Sequence, residues 1–178
     1  RFTVLSRTSM EILELVENLQ VDAGLTYLDN EPLGRVTTQP IYAERYVLVA
    51  CRGDPILRAG LGWGDLGGVP LCLLTPDMQN RRIITKHLSE AGVDVDPQVE
   101  SSSTIVLINN VLRGARATIL PRKAAEIFLK DGALEAVPIV KPDAAHVVGL
   151  VAPHREPMTP VLRALLGAAR SLSDRGVD

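Results

Sequence analysis

The chain has 178 residues, of which 46% are hydrophobic and 22% charged, enough apolar material for one sizeable core or two linked lobes and far from the signature of disorder. A formal net charge of −2 and 3% aromatic residues supply neither the basic surface nor the stacking platforms that direct nucleic-acid binding needs. No apolar run reaches the length of a membrane span.

The first run, Phe2 to Leu5, is β-prone and breaks at Ser6 and Arg7. Thr8 and Glu11 then have the spacing of a capping box, and Ile12, Leu15, Val16 and Leu19 form one helical stripe. Ala23 to Leu28 is a short uncharged run that reads as a strand buried in a parallel sheet. After a loop with Pro32 and Gly34, a strand region covers Tyr42 to Cys51, and Gly53 to Gly68 reads as an irregular connection anchored by Trp63.

The pattern then restarts. Pro70 to Leu74 predicts a strand, Thr75 begins a polar loop, and a helix follows to Ala91 and stops at Gly92. Its stripe is Ile83, Ile84 and Leu88, with Arg81, Arg82 and Lys86 read as the wet face. A third unit has a strand over Val95 to Glu100 and a helix from Ser103, whose body, Ile105 to Leu112, is apolar enough to predict burial. Ala117 to Leu120, Leu134 to Val140 and His146 to Ala152 read as strands, and Pro121 to Lys130 as a helix. Thr159 and Pro160 open the last helix as N-cap and first helical residue. The alternation predicts an α/β fold with parallel sheets.

Three junctions carry clusters of polar side chains into a helix: Arg7-Thr8-Ser9, Thr75 through Asn80 with Gln79, and Ser101-Ser102-Ser103-Thr104. In open parallel sheets, ligands bind where strands hand over to helices, and helix starts attract anions. Capping accounts for one hydroxyl per helix, so the extra polar groups in the last two clusters are a surplus that points to a small ligand. Arg7 could add a fixed positive charge for a carboxylate.

Enzyme signatures are missing: the chain has no GxSxG, P-loop, GxGxxG or HExxH pattern. His87, His146 and His154 lack metal-ligand spacing, and Cys51 and Cys72 sit in apolar runs that suit buried thiols in a reducing compartment. No catalysis, cofactor or metal is expected.

Taken in order, Ile12 to Leu19 leading into Val21-Asp22-Ala23-Gly24-Leu25, then Arg45-Tyr46-Val47-Leu48-Val49, Asp54-Pro55-Ile56-Leu57, Trp63-Gly64-Asp65-Leu66, Pro70-Leu71, Glu100-Ser101-Ser102-Ser103 and Ile119-Leu120-Pro121 form a recognisable series. The chain resembles the effector-binding domain of LysR-type transcriptional regulators over essentially its whole length. The resemblance implies two Rossmann-like lobes of the periplasmic-binding-protein type 2 kind, joined by two crossover strands. One lobe would comprise residues 1–45 plus 143–178 and the other residues 46–142. It implies an effector, often an organic acid, held between the lobes by Arg7, Thr8, Ser9, Thr75, Gln79, Asn80, Ser101, Ser102 and Ser103. It further implies a cytoplasmic homodimer or homotetramer that touches DNA only through an N-terminal helix-turn-helix domain. That domain and the family's first strand and helix would precede Arg1. Arg116 stands where the family usually has glycine, at a helix end expected to face solvent. An extracytoplasmic solute-binding protein of a transporter would use the same architecture and is the alternative.

Overall fold

Thr8 opens the first helix by closing the predicted box: its hydroxyl accepts from the Glu11 amide at 3.3 Å, and the Glu11 carboxylate accepts from the Thr8 amide at 2.8 Å. The computed structural model describes residues 1–29 and 31–175, so the expected lobe end at residue 178 lies outside the described residues. In chain order its elements are α1 (Ser9–Glu17), β1 (Gly24–Tyr27), β2 (Val36–Cys51), a 3₁₀ turn (Trp63–Leu66), β3 (Leu71–Leu74), α2 (Gln79–Glu90), β4 (Val99–Ser101), α3 (Thr104–Leu112), β5 (Ala117–Pro121), α4 (Arg122–Phe128), β6 (Leu134–Pro138), β7 (Ala145–Pro153) and α5 (Pro160–Asp174). Contacts divide the chain into Arg1–Ala43 with His146–Asp178, here unit 1, and Glu44–Ala145, unit 2. The chain passes between them within β2 and at the start of β7.

In unit 1, β7 lies between β1 and the first part of β2, and β1 pairs with it antiparallel, Gly24 opposite Val151 and Tyr27 opposite Val148. The expected parallel pairing of this segment is therefore wrong, because a short apolar strand looks the same in sequence whichever way its neighbour runs. Leu25 is 59% exposed, so the strand is not buried on both faces either. Helix α1 packs on β1 at Gly24, where a Cβ would fall 2.3 Å from the Ile12 Cγ2. Gly149 permits a similar approach, since a Cβ there would lie 2.5 Å from the Gln39 carbonyl. Leu162, Leu166 and Ala169 of α5 close the core over Leu150 and Ala152.

Two further expectations fail in unit 1. Leu19 leaves the helical stripe: it takes a left-handed conformation (φ 59°), and its amide and that of Gln20 bond to the Val16 and Leu15 carbonyls. This is a Schellman stop made without glycine. Phe2 to Leu5 forms no strand, and Phe2 and Val4 are 86% and 91% exposed. β-propensity records how well a side chain fits a half-buried sheet surface, and these residues have no strand paired to them.

In unit 2 the strand order is β6-β2-β5-β3-β4. The second part of β2 is antiparallel to both β5 and β6, whereas β3 is parallel to β5 and β4, so the sheet is mixed. Val47, Val49, Leu120 and Leu134 from the strands pack with Ile108 and Val111 of α3. The outer side of α3 is not buried as expected: Ile105, Val106 and Leu112 are 64%, 43% and 46% exposed. One layer of helix on a sheet hides a single helical face, however apolar the rest.

Trp63 anchors the irregular connection, as its position predicts. It is fully buried, stacks on His87 at 4.9 Å, meets Tyr46 edge-on and donates its indole N–H to the Pro142 carbonyl at 3.3 Å. Beside it, the Gly62 amide donates to the Asp65 carboxylate at 2.7 Å and Arg58 pairs with the other oxygen, which together hold the Asp65 carboxyl below its ordinary value.

Trp63→Ala should lower unfolding stability by about 3 to 5 kcal/mol, measured by urea unfolding followed by circular dichroism. Asp65 should stabilise the fold fully above the ordinary carboxylate range near about pH 4 and progressively less as pH falls through its depressed value. Asp65→Asn should flatten that part of the stability profile, and an unchanged profile would contradict the assignment.

Candidate functional site

Parallel strands carry their carboxyl ends to one edge, and in unit 2 this applies to β3 and β4, which pair with Leu74 opposite Ser101. Thr75 and Ser102 therefore leave the sheet at the same level, and α2 and α3 start a few residues later. The register sets Thr75 level with Ser102; Gln79 and Asn80 follow in the first turn of α2, and Ser101 and Ser103 flank Ser102.

The two helix starts share a feature that the other long helices lack. Thr8 caps α1 and Thr159 caps α5, the latter accepting from the Leu162 amide at 3.2 Å. The N-cap residues of α2 and α3, Met78 and Ser103, make no side-chain cap bond. First-turn amides have no partner within their helix, so an uncapped start keeps its attraction for an anion. Thr75 Oγ1 and Asn80 Oδ1 are buried here without a hydrogen-bond partner among the described residues. Gln79 is buried at the head of α2, Ser102 is exposed, and Ser101 Oγ is taken by the Ser103 amide at 3.1 Å.

Below this edge lies a residue assigned to the wet face of α2. Arg81 is 7% exposed. Its guanidinium donates to the Leu74 carbonyl at 2.7 Å, to Thr85 Oγ1 at 3.0 Å and to the Glu100 carboxylate. Arg82 donates to the Pro76 and Asp77 carbonyls at 3.2 and 2.5 Å. A cation reads as solvated by default, yet Arg81 lies three and seven residues before the buried Ile84 and Leu88, and that spacing was the available signal.

The first cluster lies in unit 1 and has a local explanation. The Thr8 hydroxyl is engaged with Glu11, Ser9 is buried, and Arg7 is exposed with Nη1 donating to the Ser6 carbonyl at 2.8 Å. Near Arg7, a groove of about 640 Å³ runs along β1, lined mainly by apolar residues such as Phe2, Ile12, Leu25, Leu150 and Val161. Its lining includes neither Thr8 nor Ser9. Arg116, expected on a solvent side, is partly exposed and donates to Gln98 at 3.1 Å.

Among the described residues no group of three or more His, Cys, Asp or Glu could hold a metal ion, and no helix is long and apolar enough to cross a membrane. Cys72 is buried in β3, which pushes its thiol up, and the Cys51 thiol donates to the Val111 carbonyl at 3.1 Å.

Thr8→Ala should destabilise unit 1 by about 1 kcal/mol through loss of the α1 cap, seen as faster hydrogen exchange in α1 with little change in α2.

The fold has many relatives among solved structures. The effector-binding domain of QuiR in complex with shikimate matches with a TM-score of 0.80 at 15% identity, over 95% of this chain and 79% of that one. The BenM effector-binding domain with its effector benzoate matches at 0.78 and 17%, over 95% and 77%. The reduced OxyR regulatory domain from Pseudomonas aeruginosa matches at 0.73 and 19%, over 94% and 79%. Against an OxyR chain from Corynebacterium glutamicum, the protein spans 56% of the length. No curated protein sequence matches. The model of the LysR substrate binding domain matches residues 1–173, and the chain therefore belongs to that family, with its mixed α/β fold.

Proposed function

We propose that the chain is the ligand-sensing, non-catalytic domain of a LysR-type bacterial transcriptional regulator and that it holds a small organic anion at the β3/β4 edge of unit 2. The observation that carries the reading is the pair of uncapped helix starts with the buried, unpartnered Thr75 Oγ1 in the loop after β3 and Asn80 Oδ1 in the first turn of α2. A buried polar atom without a partner costs about 1 to 3 kcal/mol; a carboxylate recovers it at the Thr75 hydroxyl, which donates, and a ligand hydroxyl recovers it at Asn80 Oδ1, which accepts. The helix dipoles and Arg82 favour a negative ligand, and the hydroxyl and amide groups of Thr75, Asn80, Ser102 and Ser103 supply direction.

Family membership supports a regulator over a transporter's solute-binding protein. The relatives QuiR and BenM are described with shikimate and benzoate, both carboxylates. Arg7, Thr8 and Ser9 join the site on family resemblance alone. In this reading DNA contact, through a helix-turn-helix domain, and assembly into a cytoplasmic dimer or tetramer belong to the whole regulator. Binding transmits a signal only to the extent that the ligand prefers one conformation over another.

Isothermal titration of the protein with a panel of small carboxylates, benzoate and shikimate included, should find a ligand. Thr75→Ala, Asn80→Ala and Ser102→Ala should each weaken it by about tenfold, equivalent to the loss of one hydrogen bond of about 1.4 kcal/mol. Unaltered affinity in all three variants would remove the assignment.

A further inference from the structure

We propose that Arg81 is a positioning residue for this edge: one buried guanidinium ties the last carbonyl of β3 to a carboxylate on β4 and so fixes the spacing between Thr75 and the serines of residues 101–103. The proposal rests on the reading of that edge as the ligand site.

The geometry is specific. Leu74, whose carbonyl Arg81 holds at 2.7 Å, is the residue before Thr75, and Glu100 is the residue before Ser101. In the sheet, Leu73 lies opposite Glu100 and Leu74 opposite Ser101, so the brace spans the final rung of the parallel ladder. Beyond that rung, no backbone bond among the described residues joins the two loops. The third contact, to Thr85 Oγ1 one helical turn along α2, fixes the rotamer of the arginine. Arg82 holds the Pro76 and Asp77 carbonyls of the same loop, and the Thr75 carbonyl between them and Leu74 accepts from the Met78 amide at 3.0 Å. The Leu74, Pro76 and Asp77 carbonyls are thus turned toward the arginines, away from the ligand side. A guanidinium is suited to this because its planar fork serves several acceptors in fixed directions, whereas an ammonium is a single point.

Glu100→Ala and Arg81→Lys separate this role from general stabilisation. Glu100 is the safer change, since its side chain is 41% exposed and that of Arg81 only 8%. Hydrogen exchange on the intact protein should show the amides of residues 75–80 and 101–104 exchanging at least about tenfold faster in Glu100→Ala, with β2 and β6 unchanged. Glu100→Gln, which keeps an acceptor oxygen, should restore most of the protection. A uniform rise across unit 2 would make Arg81 an ordinary stabilising residue, and unchanged exchange would remove the brace; either overturns the proposal.

Titration with benzoate, shikimate and the remaining carboxylates then distinguishes the two readings. Weaker binding in Glu100→Ala and Arg81→Lys, with Thr75→Ala also weaker but unchanged in exchange, supports both. If Thr75→Ala and Ser102→Ala bind normally while Glu100→Ala still loosens the edge, the site reading falls and the brace stands as a structural device. If Thr75→Ala weakens binding and neither Arg81→Lys nor Glu100→Ala does, the site stands and the positioning role falls.

Discussion

The parallel pairing of β3 with β4 is the constraint on which the rest of unit 2 depends. Parallel neighbours cannot be joined by a tight turn, so the chain must return through a crossover, here α2 and the loop after it. Two strand ends and two helix starts consequently share one edge. Register then decides which side chains meet there: with Leu74 opposite Ser101, the polar loop after β3 and the serines after β4 stand side by side. A shift of a single residue would turn the side chains of one strand to the opposite face.

Capping shows how the same residue types serve different ends. In unit 1, Thr8 and Thr159 spend their hydroxyls on amides of their own helices, and both helices close on a local bond. At the edge of unit 2, the hydroxyls and amides are not used in that way, and Met78 offers no oxygen at the position where a cap would stand. The surplus of polar groups is therefore a property of placement as much as of composition. Burial adds to it, since Thr75 Oγ1 and Asn80 Oδ1 are removed from solvent without an acceptor or donor to replace water.

Sequence reasoning and structure part company in a consistent way. Elements whose signals are local were legible: the T-x-x-E box of α1, the Thr159-Pro160 start of α5, the helix α2 ending before Gly92, and the anchoring of Trp63. Errors cluster where a neighbour decides. Strand direction was misread for β1, because an apolar run carries no mark of its partner's orientation. Phe2 to Leu5 has strand-like residues and no strand beside it, and α3 has an apolar sequence but only one face packed on a sheet.

Arg81 is the sharpest case among the candidate-site residues. Its charge suggests water, while its contacts are a carbonyl seven residues earlier and a carboxylate nineteen residues later. By itself the sequence determined the helices, the caps of α1 and α5 and the presence of polar clusters at three helix starts, because these follow from spacings of a few residues along one chain. Only the tertiary structure decided which clusters share an edge, which hydroxyls are already taken, and which arginine is buried beneath them. Those outcomes depend on strand register and on partners far apart in sequence, which no local pattern records.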